Sequence, residues 1–247
     1  MIDEWKKGAK YWDHAWNPVI GCRKVSEGCA NCYAARTMER FGQSFEPHLS
    51  KRQTPPKSGV VFVGNMTDLF GEWNHPDTVY DWIGGLSFGA TNLILTKRPE
   101  IMCQWDHIQY DESMWLGVTG ETQERLEQRL DSLLRVAHPQ RWLSLEPLLD
   151  EICLNSAIAN VTGELGFFDP FLKWFQWVVV GAESGPKRRP CKLEWVELIV
   201  RQCREAGVPV FVKQLEIAGK LVKDINKFPP ELQIRQVPWR RKEMKDE

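Results

Sequence analysis

The sequence predicts an α/β protein, a partial or complete (β/α) TIM-like barrel with parallel strands and outer helices. Three observations carry this. Apolar, often β-branched runs recur along the chain, amphipathic helical patterns fill most of the gaps, and polar or charged residues follow directly after the runs. Runs buried on both faces and alternating with helices mark a parallel sheet covered by helices. At 247 residues the chain has the size of one such barrel domain, 1–247. Periodicity does not set connectivity, so a doubly wound open sheet stands as the alternative.

In chain order, strands are expected at "NPVIGC" (17–22), "GVVFVGN" (59–65), "TNLILTK" (91–97), "MWLGVTG" (114–120), "RWLSLEP" (141–147), "QWVVVGAES" (176–184) and "VPVFVKQ" (208–214). Helices are expected at "ANCYAARTMERFG", "HPDTVYDWIGGL", "TQERLEQRLDSLLRVA" and "KLEWVELIVRQCREAG", the last closing on Gly207 as a C-terminal cap. The segment 154–174, with "NVTGELGFFDPFLKWF", is too long for a tight connection and reads as an insertion that lids or edges the site. The polar tail 229–247 reads as peripheral.

Lys plus Arg total 32 against 33 Asp plus Glu, a net charge of −1, so no global field draws in nucleic acid or an anionic membrane. Any such partner must use a local patch. The N-terminus lacks an apolar signal core and no run is long enough to span a bilayer, which predicts a cytoplasmic protein with no membrane contact. In a reducing compartment, seven cysteines without small-domain spacing point to metal rather than disulfides.

The residues just past the runs are Cys22, Asn65 to Asp68, Thr96 to Pro99, Thr119, Ser144 to Pro147, Gly181 to Gly185, and Lys213 with Gln214. Polar groups at one end of a parallel sheet are where such barrels place their chemistry. Taken singly, Arg98 and Glu183 read as solvated loop residues. Lys97 and Glu146 are embedded in apolar runs near a proline, where a partly buried charge needs a partner or ligand. Lys213 and Gln214 follow "VFV" in the same way.

Cys22, Cys29 and Cys32 are spaced C-x6-C-x2-C. Structural zinc takes four ligands, and His14, His48 or Cys191 would have to supply the fourth. A 4Fe–4S cluster held by three thiolates leaves one iron open to a substrate or cofactor. Cys103, Cys153 and Cys203 read as packing.

A three-cysteine loop entering a helix from the first strand of a parallel barrel resembles the cluster loop of radical S-adenosylmethionine enzymes. Their usual spacing is C-x3-C-x2-C with an aromatic before the last cysteine, whereas here Tyr33 follows it. Across nearly the whole chain, "WNPVIGCRKVSEGCANCYA", "MTDLF", "LTKRP", "SLEPLL", "GAESG" and "FVKQ" resemble in order the phage- and mobile-element-associated three-cysteine-motif family of unknown function (the phage gp thirty-seven and gp sixty-eight family). The resemblance implies that Cys22, Cys29 and Cys32 bind a 4Fe–4S cluster whose fourth iron chelates S-adenosylmethionine. An electron donor such as flavodoxin or ferredoxin would then drive release of a 5'-deoxyadenosyl radical. It places Asn65, the Met66 backbone and Asp68 at the methionine amine, and Ser144, Glu146, Gly181 and Glu183 near ribose and adenine. Lys97, Arg98, Glu146, Lys213 and Gln214 would face the substrate.

The basic stretches "GPKRRP" (185–190) and "WRRK" (239–242), with twelve Trp, permit a nucleotide or nucleic-acid substrate; solvated loops and a Trp-rich core explain them equally. Three classes of function follow: a radical S-adenosylmethionine enzyme, a zinc-containing nucleic-acid-binding module, and a phage interaction protein without a reaction. The sequence does not set the oligomeric state.

Overall fold

In a computed structural model, described for residues 3–5, 8–163 and 174–239, the chain is a mixed α/β half-barrel. Its main sheet has eight strands in the order β11-β10-β9-β8-β7-β6-β5-β2. These are β2 (His14–Trp16), β5 (Gly59–Val63), β6 (Ala90–Thr96), β7 (Met114–Thr119), β8 (Arg141–Leu145), β9 (Trp177–Gly181), β10 (Val210–Ile217) and β11 (Lys220–Val222). All neighbours pair in parallel except β10 and β11, which form an antiparallel hairpin. Two small antiparallel pairs stand apart: β1 (Asp3–Glu4) with β12 (Gln236–Val237), and β3 (Val19–Ile20) with β4 (His48–Leu49).

The crossovers from β5 to β10 are α2 (Pro76–Gly84), α3 (Pro99–Gln104), α4 (Gln123–Arg135), α5 (Leu154–Thr162) and α6 (Leu193–Glu205); α1 (Tyr33–Arg40) follows the cysteine loop. Local chemistry sets their ends. Thr122 caps α4 by accepting from the Arg125 N–H, Pro76 opens α2, and Gly207 at φ 66° turns the chain after α6.

The strands read as unbroken apolar runs because each buries both faces. In β5, Val61 and Val63 pack outward under the helices while Val60 and Phe62 enter the concave interior. In β9, Val178 and Val180 alternate likewise with Trp177 and Val179. The interior is filled with rings: Tyr11, Trp142, Phe211 and Trp239 lie around Trp177 at centroid distances of 4.8–6.3 Å. Core packing therefore accounts for much of the tryptophan content.

Three expectations are corrected. The first barrel strand is His14–Trp16, not 17–22, because Pro18 has no N–H for a ladder and Gly21, at φ 109°, turns the chain away. Within 154–174, Leu154–Thr162 is the β8–β9 crossover helix, with Leu154, Ala157 and Ile158 buried; residues 164–173 lie outside the described residues. The stretch from Pro229 to Trp239 is not peripheral: Leu232, Val237 and Trp239 are buried, and Arg235 bridges to Phe211 of β10. Residues 240–247 lie outside the described residues. Among the described residues no helix is long and apolar enough to cross a membrane.

Candidate functional site

One cavity of ~490 Å³ opens at the C-terminal ends of the parallel strands, beneath the cysteine loop. Cys22, Cys29 and Cys32 line it, together with Asn65, Met66 and Asp68 after β5, Lys97 after β6, Ser144 and Glu146 at the end of β8, Glu183 after β9, and Lys213 and Gln214 in β10. Gly181 does not line it. It lies beneath, where a Cβ would sit 2.8 Å from Glu146 Oε1 and 3.4 Å from Lys213 Cβ, so only glycine leaves that pair its room. Tyr11, Trp12, Phe62 and Leu95 form the apolar part of the lining.

The cysteine loop is tied down by side chains from several strand ends. Arg98 is buried rather than solvated; it donates to the Arg23 carbonyl at 3.0 Å and lies 3.9 Å from Cys22 Sγ. Its own position is set by Asp68 and Glu72. Glu121, fully buried, accepts from Ser26 Oγ at 2.8 Å within the loop and pairs with Lys97 at 3.0 Å and with Arg129. Burial works to raise its pKa, but the charges of Lys97 and Arg129 and the hydrogen bonds from Lys97 and Ser26 hold it at about 2. Gly28 of the loop lies flat on this carboxylate, leaving no room for a side chain. Glu183, also buried, accepts from Arg189 and Asn31, and Arg189 donates in turn to the Glu27 carbonyl. Burial works to raise the Glu183 pKa too, and these bonds outweigh it and leave it lowered.

This accounting changes several roles. Asp68 accepts from the Phe70 N–H, the Thr96 hydroxyl, the Lys97 N–H and Arg98, which uses all four of its lone-pair positions. It clamps Arg98 and has no lone pair left for a ligand amine. Glu183 is likewise committed to the loop. Asn65 accepts through Oδ1 from Asn17 and through its carbonyl from Tyr33, and the Met66 carbonyl accepts from Gly21. Gln214 donates to the Ala182 carbonyl at 2.6 Å. Glu146 and Lys213 form a partly exposed pair, with Nζ 3.1 Å from Oε1. Glu146 also faces Tyr11, whose pKa is pushed far up by burial first and by that carboxylate second.

Sequence reasoning missed Glu121, Arg129, Arg189, Asn31, Tyr11 and Trp12. Glu121 had a usable signal, since it follows β7 just as Lys97 follows β6. Arg129 looked like any charged residue on a helix.

Cys22, Cys29 and Cys32 are free and half-buried. Among the described residues no three His, Cys, Asp or Glu side chains converge on a single-ion site. His14 and His48 are exposed and do not line the cavity, and Cys191 is buried in the outer core, its thiol pushed up to about 12 by burial first and Glu216 second. Three thiols from one loop, open to one cavity and without an imidazole, fit an iron–sulfur cluster by donor type. Burial first, then Asp68, raises the Cys22 pKa to about 12 against the pull of Arg98, so a bound metal would be what makes it a thiolate.

Fold and site together define a half-barrel protein with a three-thiol loop over a polar strand-end cavity. Over residues 6–227 the chain matches the family described as protein of unknown function (DUF5131), and it belongs to that family. No curated protein and no solved structure matches it.

Proposed function

We propose that the protein is an iron–sulfur enzyme of the radical S-adenosylmethionine kind. The observation that carries the proposal is the cavity itself: Cys22, Cys29 and Cys32 share it with polar residues from β5, β6, β8, β9 and β10. Cys22, Cys29 and Cys32 would hold a 4Fe–4S cluster. When bound, cluster and S-adenosylmethionine would supply one-electron cleavage of the sulfonium to a 5'-deoxyadenosyl radical.

The chain's own residues bind, orient and exclude water. Arg98, Glu121 and Arg189 fix the loop, so the thiols are held in place by protein rather than by metal alone. Asn65 and Met66 would meet the amino-acid moiety of the cofactor, and Ser144 with the backbone of Ala182 would meet the nucleoside. Glu146, Lys213 and Gln214 are left for substrate. Fully buried Trp142 and Trp177 close the barrel below and keep bulk water from entering that way.

The test is metal and turnover analysis of protein purified without oxygen. About four irons and four sulfides per chain are expected, with conversion of S-adenosylmethionine to 5'-deoxyadenosine and methionine under a strong reductant. Cys29→Ala should lose the colour and the product. Stoichiometric zinc without sulfide would overturn the proposal.

A further inference from the structure

We propose that the substrate is a nucleotide within a single-stranded nucleic acid, its base entering the cavity against Glu146, Lys213 and Trp12 while lysines at the rim hold the backbone. This rests on the cavity being a substrate site and deepens that reading.

Charge is neutralised inside the cavity and left free at its rim. Among the described residues the charged side chains around the cavity interior are paired: Lys97 with Glu121, Arg98 with Asp68, Arg189 with Glu183, and Lys213 with Glu146. Such an interior offers no net charge to a phosphate or carboxylate. It suits a neutral, polar group. At the rim the balance is reversed. Lys187, Lys220 and Lys223 are exposed, and among the described residues no carboxylate lies within ion-pair distance of them. The 185–190 loop that carries Lys187 meets the β10–β11 turn next to Lys220, because Arg188 donates to the Gly219 carbonyl. Lys223 lines the cavity itself. Nearby, Arg36 donates through Nη2 to the Ser184 carbonyl, and its Nε is buried without a hydrogen-bond partner. A chain of net charge −1 thus concentrates free cations beside one opening. Neutral inside and cationic outside matches a strand whose base goes in and whose phosphates stay out.

The interior also carries the chemistry to recognise a base. Lys213 presents donors next to the Glu146 acceptor, at 3.1 and 3.3 Å from its two oxygens. The Watson–Crick edge of every nucleobase presents a donor beside an acceptor. Lys213 Nζ sits 5.4 Å from the Tyr11 ring centre and 5.6 Å from that of Trp12, and half-buried Trp12 gives a flat surface for stacking. Exposed Tyr33, at the mouth, offers a second face to a neighbouring base.

The experiment is fluorescence anisotropy of a labelled single-stranded 12-mer with the full-length protein purified without oxygen, over a salt series. The same strand built of abasic units, heparin, a nucleoside monophosphate and anionic phosphatidylserine vesicles serve as competitors. The 12-mer should bind at least tenfold more tightly than the abasic strand or the monophosphate. Lys187→Ala/Lys220→Ala/Lys223→Ala should lower the slope of log affinity against log salt by about two, with unchanged circular dichroism. Glu146→Gln/Lys213→Gln, which leaves no unpaired charge, should keep that slope and lose the preference for bases. Equal affinity for abasic strand or heparin, equal affinity for the monophosphate, vesicle binding in place of strand binding, or no strand binding would each overturn the inference. Iron, sulfide and 5'-deoxyadenosine measured on the same preparation report on the enzyme reading independently.

Discussion

Glu121 and Ser26 lie 95 positions apart and meet through a 2.8 Å hydrogen bond that ties the cysteine loop to the end of β7. The carboxylate is fully buried, and its two cationic partners, Lys97 and Arg129, come from just past β6 and from α4. Sheet, helix layer and loop therefore join at one side chain.

Replacing that carboxylate by an amide is the sharpest test of this joint. Glu121→Gln keeps the shape and leaves buried Arg129 without a countercharge, so unfolding should cost roughly 3 kcal/mol less. Urea titration should show the lower midpoint with an unchanged slope. In metal-free protein, hydrogen exchange over residues 23–32 should accelerate, while β8 and β9 stay protected. Exchange that is unchanged in the loop would show that Glu121 does not hold it.

His138 gives the chain a titration remote from the cavity. Its Nε2 meets the Met114 carbonyl at 2.8 Å, which requires the proton on that nitrogen. Burial first, with the Arg141 charge, lowers its pKa against the opposing pull of Asp111 and the Met114 bond. In the unfolded chain it titrates near 6.5. Below that pH the unfolded state takes up a proton that the folded state resists, so this contribution is complete above about 6.5 and is lost as pH falls. Thermal melts at pH 7.5 and 5.5 should show a drop that His138→Gln reduces; an equal drop in both proteins would exclude His138 as its source.

How much of this was legible depended on whether local pattern or long-range pairing decided the outcome. Runs such as "VVFV" and "WVVV" announced buried strands, because a strand covered on both sides has no polar face to show. The cysteines and the strand-end residues could be listed, since they follow those runs. Their partners were not legible. Arg98 and Glu183 looked like solvated residues one at a time, and only the fold brings Asp68 to one and Arg189 to the other. Proline and glycine signals were underused: Pro18 and Gly21 already argued against a strand through 17–22.

Asp68 separates two roles. A residue that received a cofactor amine could be changed without harm to the loop. In the structure Asp68 holds the Lys97 N–H and Arg98, which in turn holds the Arg23 carbonyl beside Cys22. Asp68→Asn turns an acceptor into a donor among those donors, and stability should fall by roughly 3 kcal/mol. Iron content per chain should fall with it, even in protein that remains folded. Normal stability and normal iron with weakened S-adenosylmethionine binding would return Asp68 to the cofactor.

Gly181 tests the floor of the cavity without altering a charge. Its backbone is extended within β9, so alanine carries no backbone strain there, and whatever changes must come from the added methyl group. That methyl group would stand 2.8 Å from Glu146 Oε1, 3.4 Å from Lys213 Cβ and 3.5 Å from Gln214 Cγ. The carboxylate is the neighbour able to move, because it is partly exposed toward the cavity, and Lys213 would move with it. Overpacking of this kind costs about 1–3 kcal/mol. Gly181→Ala should therefore fold with slightly reduced thermal stability and bind the single-stranded 12-mer with an unchanged salt slope, while its preference over the abasic strand shrinks severalfold. The rim lysines are untouched, so the backbone contacts survive while the base contacts do not. An unchanged preference in a properly folded variant would show that the Glu146–Lys213 pair does not read the base.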